Sequence, residues 1–247
     1  MSVLVVIPAR FGSVRFPGKP LAKLCGKPMI QHVYEGAAKA QGVDAVVVAT
    51  DDERIMRAVF EFGGKAVMTN PAARSGTERV AEVARARDAK VIINVQGDEP
   101  LVQGEMIGQL AQFLTRHEAV PMASLMIPFK PGEDINSPNV VKVAVDRDKF
   151  ALYFSRSVIP FLRAPEAAPR YLKHLGLYGY QRHFLLQFSS LEPTPLEQSE
   201  QLEQLRALEH GYRIKMLETV HDSIGVDTPE DLQRVEKRLA GVKVKHG

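Results

Sequence analysis

The chain has 247 residues, 45% hydrophobic and 25% charged, with a formal net charge of +3 and a single cysteine, Cys25. This length suits one large α/β domain or two small ones, and so small a net charge argues against a broad nucleic-acid surface. One cysteine excludes an internal disulfide and suits a reducing cytoplasm, where Cys25 reads as a small packing residue. No run approaches the ~20 apolar residues of a bilayer span. The first residues lack the basic and apolar regions of a signal peptide, so a soluble, unprocessed, cytoplasmic protein is expected.

The first element is the run Val3-Leu4-Val5-Val6-Ile7. Four of these five residues are β-branched, which predicts a buried strand. Pro8, with no N–H to donate, is expected to stop it. The loop that follows holds Gly12 and Gly18, Pro17 and Pro20, and the cations Arg10, Arg15 and Lys19. A strand that empties into a glycine-containing basic loop suits phosphates, because main-chain N–H groups reach an anion where no Cβ intervenes. A merely solvated basic loop has the same composition. Neither G-x-x-x-x-G-K-[ST] nor G-x-G-x-x-G is present.

Residues 28–40 predict a helix with Pro28 in its first turn, residues 45–50 a second buried strand, and Asp51-Asp52 a cap on the helix that follows. Gly63-Gly64 end that helix before a short strand at 65–68. The order so far is β-loop-α-β-α-β, a parallel sheet with right-handed crossovers. Arg74-Ser75-Gly76-Thr77-Glu78-Arg79 heads the next helix, where Ser75 or Thr77 can cap and the N-terminus can hold an anion. Residues 91–95 form a strand that ends in Gln96-Gly97-Asp98-Glu99-Pro100. A carboxylate at the end of a central parallel strand stands where open α/β sheets bind ligands. Asp98 is thus a candidate Mg²⁺ ligand and Glu99 a weaker second one. A turn aspartate bonding its own backbone is the plain alternative.

A helix at 105–116 and a strand at 120–127 follow. Residues 140–145 alternate around Lys142 and pair with 151–155 across Asp146-Arg147-Asp148, so the pattern turns antiparallel. Residues 156–170 read as an irregular loop near the site or a dimer interface. In the strand 171–180, counting by twos places His174, Gly176, Tyr178 and Tyr180 on one face. Helices are expected at 182–190 and, as one unbroken segment carrying Leu202, Leu205 and Leu208, at 199–209. A short strand at 214–217 precedes Asp227-Thr228-Pro229-Glu230-Asp231, where Thr228 and Asp231 suit a capping box. The last helix runs to about residue 240, and the basic tail VKVKHG is expected to fray.

Segments spread along the chain together resemble one family. P-A-R-F-G-S-V-R-F-P-G-K-P-L is similar to the signature loop of sugar-activating nucleotidyltransferases, above all of CMP-Kdo synthetases, which activate 3-deoxy-manno-octulosonate (Kdo). S-G-T-E-R, Q-G-D-E-P, H-L-G-L-Y-G-Y and L-E-Q-L-R, with the Asp227 segment, extend the likeness from Val3 to Leu239. Sialic-acid synthetases usually carry Gly-Ser-Lys-Gly where this chain has Gly12-Ser13-Val14-Arg15, and Arg74 stands in place of a family histidine near Ser75. The resemblance implies a three-layer, Rossmann-like α/β fold with a mixed, mostly parallel sheet and an antiparallel insertion. Within it, residues 1–130 would bind nucleotide, 131–220 would bind sugar and dimerise, and 221–247 would close the site. It implies CTP and Kdo as substrates for lipopolysaccharide synthesis, Mg²⁺ as cofactor, a homodimer, and no nucleic-acid or membrane partner. Pro8, Ala9, Arg10, Gly12, Ser13, Arg15, Lys19, Arg74, Ser75, Gly76 and Gln96 would hold the nucleotide. Arg156, His174, Tyr178, Glu203, Gln204 and Gln96 would contact the sugar, with His174 and Tyr178 as hydroxyl donors. Asp98 and Asp227 would hold the metal. Arg10, Arg15 and Lys19 would grip the triphosphate. Two alternatives stay open: activation of another sugar acid, such as sialic acid or an amino analogue of Kdo, and a nucleotide-binding regulator without turnover.

Overall fold

The computed structural model describes residues 2–12, 16–164, 166 and 169–243. Its first half runs β1 (Val3–Ala9), a 3-10 turn (Lys19–Leu21), β2 (Lys23–Leu24), β3 (Lys27–Pro28), α1 (Met29–Ala37), β4 (Ala45–Thr50), α2 (Glu53–Glu61), β5 (Ala66–Met68), α3 (Gly76–Arg85), β6 (Val91–Asn94) and α4 (Gly104–Arg116). Then come β7 (Met122–Pro128), β8 (Lys142–Val145), β9 (Ala151–Ser155), β10 (Leu172–Gln181), α5 (Arg182–Phe188), α6 (Pro195–Glu200), α7 (Gln204–Glu209), β11 (Ile214–Glu218) and α8 (Pro229–Lys243).

One sheet carries the order β11-β7-β10-β6-β1-β4-β5, with β8 pairing β10 and β9 extending from β8. β1 pairs in parallel with β4 and β6, and β4 with β5. β10 is antiparallel to both β6 and β7, so it joins the parallel half to the β7–β11 pair. This is the mixed sheet expected from the switch to alternating strands. Successive β1 residues point to opposite faces. Val3, Val5 and Ile7 pack with α1, α2 and α4 on one side, while Leu4 and Val6 join α3, α5 and α7 on the other. A third, smaller cluster seats Val226 and Val235 on Leu24 and Met29, which ties the last helix to the β2–β3 hairpin.

Four details depart from expectation. Pro8 lies inside β1, opposite Ala49, and does not end it. Main-chain groups two residues apart on a strand face the same neighbour, and the Val6 carbonyl accepts from Val95 N–H of the β6 segment at 3.1 Å. β6 has ended by the level of Pro8, so the missing N–H leaves no ladder bond unmade. Pro28 is the N-cap of α1, not a residue of its first turn. The strand expected at 65–68 begins at Ala66. The helix expected at 199–209 is two: α6 ends at Gln201, which adopts φ 53° and ψ 49°, and α7 starts after Glu203. The leucine spacing bridges the break because Leu202 and Leu205 still enter the core. The remaining caps form as read. Asp52 accepts from Arg54 N–H, Ser75 from Glu78 N–H, and Thr228 and Asp231 exchange reciprocal bonds at 3.1 and 3.2 Å.

Gly97, just past β6, passes so near β1 that a Cβ there would lie 2.7 Å from the Pro8 carbonyl oxygen. Backbone against backbone leaves no rotamer to relieve the clash. Gly97→Ala is expected to cost about 1–3 kcal/mol of stability by overpacking, read as a lowered midpoint in urea unfolding.

Candidate functional site

Where β1 and β6 end, a cleft of about 360 Å³ opens. Pro8, Ala9 and Arg10 line one wall, Lys19 and Pro20 another, and Ala73, Arg74, Ser75, Gly76 and Arg79 a third. Gln96, Gly97, Asp98 and Asp227 complete it. The carboxyl ends of central parallel strands thus form the crevice, as open α/β sheets dictate. Eight of the proposed nucleotide contacts and both proposed metal ligands fall on this one surface: Pro8, Ala9, Arg10, Lys19, Arg74, Ser75, Gly76, Gln96, Asp98 and Asp227. Gly12 lies on the exposed loop and does not line the cleft. Ser13 and Arg15 lie outside the described residues.

Three segments remote in sequence meet at Lys19. Its ammonium donates to Asp98 Oδ2 at 2.6 Å and to Asp227 Oδ1 at 3.3 Å. Lys19 reaches there from the 3-10 turn, which Gly18 enters at φ 70°. Asp98 is delivered by the end of β6, and Asp227 by the residue before the α8 cap. The Val226 N–H bond to the Asp98 carbonyl, 2.8 Å, pins those two segments side by side. Glu99 turns away from this pair and accepts a hydrogen bond from the Ser223 hydroxyl. Burial, with the neighbouring carboxylates of Asp98, Asp222 and Asp227, raises its pKa to about 7.

The wall from α3 is held from beneath. Arg79 is 3% exposed; it donates to Asp51 Oδ2 at 2.7 Å and to the Thr69 hydroxyl. Arg74 is exposed and pairs with Glu78 at 2.7 Å. Glu203, next to α7, accepts from Ser75 Oγ at 3.0 Å and Thr77 Oγ1 at 2.5 Å. It therefore reaches from the expected sugar side to the helix that borders the cleft. Burial raises its pKa against the pull of the Thr77 hydroxyl, Arg206 and the Ser75 hydroxyl.

Beside Glu203 lie the other residues expected to contact a sugar. Tyr178 donates its hydroxyl proton to Gln204 Oε1 at 3.1 Å. Burial pushes the phenol pKa up and keeps that proton in place. Ser124 Oγ has a single proton, with the Leu177 carbonyl 2.7 Å away as acceptor and His174 Nε2 at 2.8 Å. Both contacts are satisfied only when Nε2 carries the proton and donates to Ser124. Burial lowers the His174 pKa to about 3, so the ring is neutral and Nδ1 keeps its lone pair. The hydroxyl donors expected of His174 and Tyr178 are thus already used, and both residues retain lone pairs. The available donors are two side-chain amides: among the described residues, Gln204 Nε2 and Asn94 Nδ2 are buried without a hydrogen-bond partner. Asn94 Oδ1 meanwhile accepts from Gln96 at 3.3 Å.

Arg156, expected at a sugar carboxylate, is instead committed to the scaffold. Its guanidinium donates to the main-chain carbonyls of Glu200, Pro138 and Gln201 at 2.7, 2.9 and 3.3 Å. The fully buried Lys142 braces the same corner, donating to the carbonyls of Ser137 and Arg156 at 2.7 Å each. Asn94, Arg79, Ser124 and Ser223 were not singled out from sequence. A polar residue inside an otherwise apolar strand was the available signal for Asn94 and Ser124.

The cytidylyltransferase family model matches residues 4–216. The chain belongs to that family. This cytidylyltransferase is accordingly a nucleotidyl-transferring enzyme. It is 53% identical over 249 residues to the 3-deoxy-manno-octulosonate cytidylyltransferase of Geotalea uraniireducens, covering 97% of this chain and 99% of that one. It is 50% identical over 242 residues to the protein of the same name from Syntrophus aciditrophicus, covering 97% and 98%. Among solved structures, a CMP:2-keto-3-deoxy-manno-octonic acid synthetase complexed with CTP superposes with a TM-score of 0.93 at 46% identity, covering 98% of this chain and 99% of that one. A 4-diphosphocytidyl-2C-methyl-D-erythritol synthase from Anaerococcus prevotii shares the fold, with a TM-score of 0.64 at 12% identity.

The lowered pKa of His174 has a signed consequence. A ring that stays neutral when folded contributes stability fully present above the unfolded pKa of 6.5 and lost as pH falls toward about 3. The His174 ring C–H resonances are therefore expected not to titrate between pH 8 and 5 in NMR spectra of the folded enzyme. A midpoint near 6.5 would contradict the assigned environment.

Proposed function

We propose that the enzyme transfers CMP from CTP to the anomeric hydroxyl of Kdo, releasing pyrophosphate and supplying CMP-Kdo for lipopolysaccharide. The observation that carries this reading is the convergence of Asp98 and Asp227 on one cation at the end of β1, beside Arg10. The names of relatives near 50% identity and the CTP complex of the similar synthetase support the choice of nucleotide and sugar.

The donor set also fits Mg²⁺. Two carboxylates already share a positive charge, and Mg²⁺ prefers one or two such oxygens together with phosphate. Asp98 and Asp227 would hold it, and when bound it would neutralise charge at the α-phosphate. Arg10 and Lys19, with Arg15, bring cations to the β- and γ-phosphates. Ser75 and Gly76 open α3 toward the nucleotide, where helix N–H groups favour an anion. Gln204 Nε2 and Asn94 Nδ2 need acceptors, which sugar oxygens supply. The lone pairs of His174 and Tyr178 accept hydrogen bonds from sugar hydroxyls. In the reaction the anomeric oxygen bonds to the α-phosphorus as the bond to the pyrophosphate oxygen breaks, and the hydroxyl proton is released. Positioning and charge stabilisation suffice, with no covalent enzyme intermediate.

We further propose a homodimer. Leu152 on the outer strand β9 is 63% exposed, and Phe161 and Leu162 in the following loop are 84% and 41% exposed. An apolar surface of this kind suits a second copy, which light scattering on a sizing column would register as twice the chain mass. Among the described residues no helix is long and apolar enough to cross a membrane. We propose a cytoplasmic location, since a single cysteine suits a reducing compartment.

The test is pyrophosphate release from CTP with and without Kdo and Mg²⁺. Release is expected only with all three present. Release with sialic acid and not Kdo would overturn the choice of sugar, and none with any acceptor would favour a binding protein without turnover. Asp98→Asn is expected to lower turnover by about a hundredfold or more while keeping the fold by circular dichroism. Unchanged turnover would remove the metal role assigned to Asp98.

A further inference from the structure

The assignment of Asp98 and Asp227 to a divalent cation, on which this inference rests, leaves the position of Lys19 to be explained. Its ammonium lies 2.6 Å from Asp98 Oδ2 and 3.3 Å from Asp227 Oδ1, where a shared ion would be. A Mg²⁺ ion held by the same oxygens would come close to an ammonium that stayed. Two cations so close repel, and the Lys19 side chain is only 12% exposed, so water screens the repulsion little. The two carboxylates therefore satisfy the ammonium or the metal, not both in full.

The ammonium also has somewhere to go. Lys19 stands on a single turn of 3-10 helix, its stem is four flexible carbons, and it borders the cleft that Arg10 also lines. A triphosphate in that cleft offers the ammonium anionic oxygens that the substrate-free chain lacks.

We propose that Lys19 is an internal counter-cation of the metal site. In the substrate-free enzyme it pairs with both Asp98 and Asp227 and holds them assembled. It releases them when nucleotide phosphates give it another partner. Metal and nucleotide therefore enter together, and a divalent cation binds weakly alone. The same exchange turns one lysine from a stand-in for the metal into a phosphate ligand.

Lys19→Met removes the charge and keeps most of the stem. The nucleotide-free enzyme is titrated with Mn²⁺, with the free ion followed by electron paramagnetic resonance. K19M is expected to bind Mn²⁺ about tenfold more tightly than the wild type, the scale set by one charge-assisted hydrogen bond. Adding Asp98→Asn to K19M is expected to erase the gain. Equal or weaker Mn²⁺ binding by K19M overturns the proposal, as does a gain that survives Asp98→Asn. If K19M shows no cooperative thermal transition, Lys19→Gln replaces it. A nucleotide-free wild-type crystal soaked in Mn²⁺ gives an independent reading. An ion on both carboxylates with Lys19 still bridging them overturns the proposal; a displaced Lys19 or no ion supports it. No turnover is needed for any of these measurements. A chain that makes no product from CTP yet shows the K19M gain loses the activity assignment alone. A chain that makes product with unchanged Mn²⁺ affinity loses this inference alone.

Discussion

The ion pair of Lys19 with Asp98 and Asp227 is the contact on which the site depends. It joins the loop after the first strand, the end of β6 and the approach to the last helix, with Asp98 79 residues and Asp227 208 residues further along the chain. Without a cation, two carboxylates brought to one place would repel, which would weaken the closure of α8 over the cleft. The apolar seat of Val226 and Val235 on Leu24 and Met29 supplies the rest of that closure. Packing brings the chain ends near one another, and charge sets where the acidic groups stop.

A second set of contacts couples the two sides of the site. Glu203 spends its carboxylate on Ser75 and Thr77, residues at the start of the helix that borders the cleft. Gln204, its neighbour, accepts a hydrogen bond from the Tyr178 hydroxyl, and Tyr178 stands opposite Asn94 in the β6–β10 ladder. A row of polar side chains thus runs from the nucleotide cleft into the sheet, with each proton's direction set by its neighbours. The unpaired amides in this row are where a substrate oxygen gains most, since a buried donor without a partner costs about 1–3 kcal/mol.

Much of this was legible in the sequence because the signals were strong. The apolar runs of β1, β4 and β6 are buried on both faces, so their composition alone marks central strands. Ser75, Asp52 and Thr228 cap helices because their side chains match orphan N–H groups at fixed spacing. Asp98 could be picked out by its place at a strand end, whereas Asp227 entered through family likeness, since nothing local to it announces a partner in β6. The misses have physical causes. Gln201 carries no turn signal, yet its left-handed backbone divides α6 from α7. Arg156 and Arg79 have the composition of solvent-facing cations but are held by carbonyls and by Asp51. Lys142 sits in an alternating strand as if exposed, and only the folded chain supplies the two carbonyls that make its burial tolerable.

The position of β10 bears on how the molecule is made. It is the tenth strand in chain order, yet it lies between β6 and β7, the sixth and seventh. A nascent chain emerging from the ribosome holds β6 and β7 with open edges until Leu172–Gln181 arrives to zip both. The parallel half of the sheet is therefore not a module that matures first. Synthesis has to pass two-thirds of the way along before β6 gains its second neighbour.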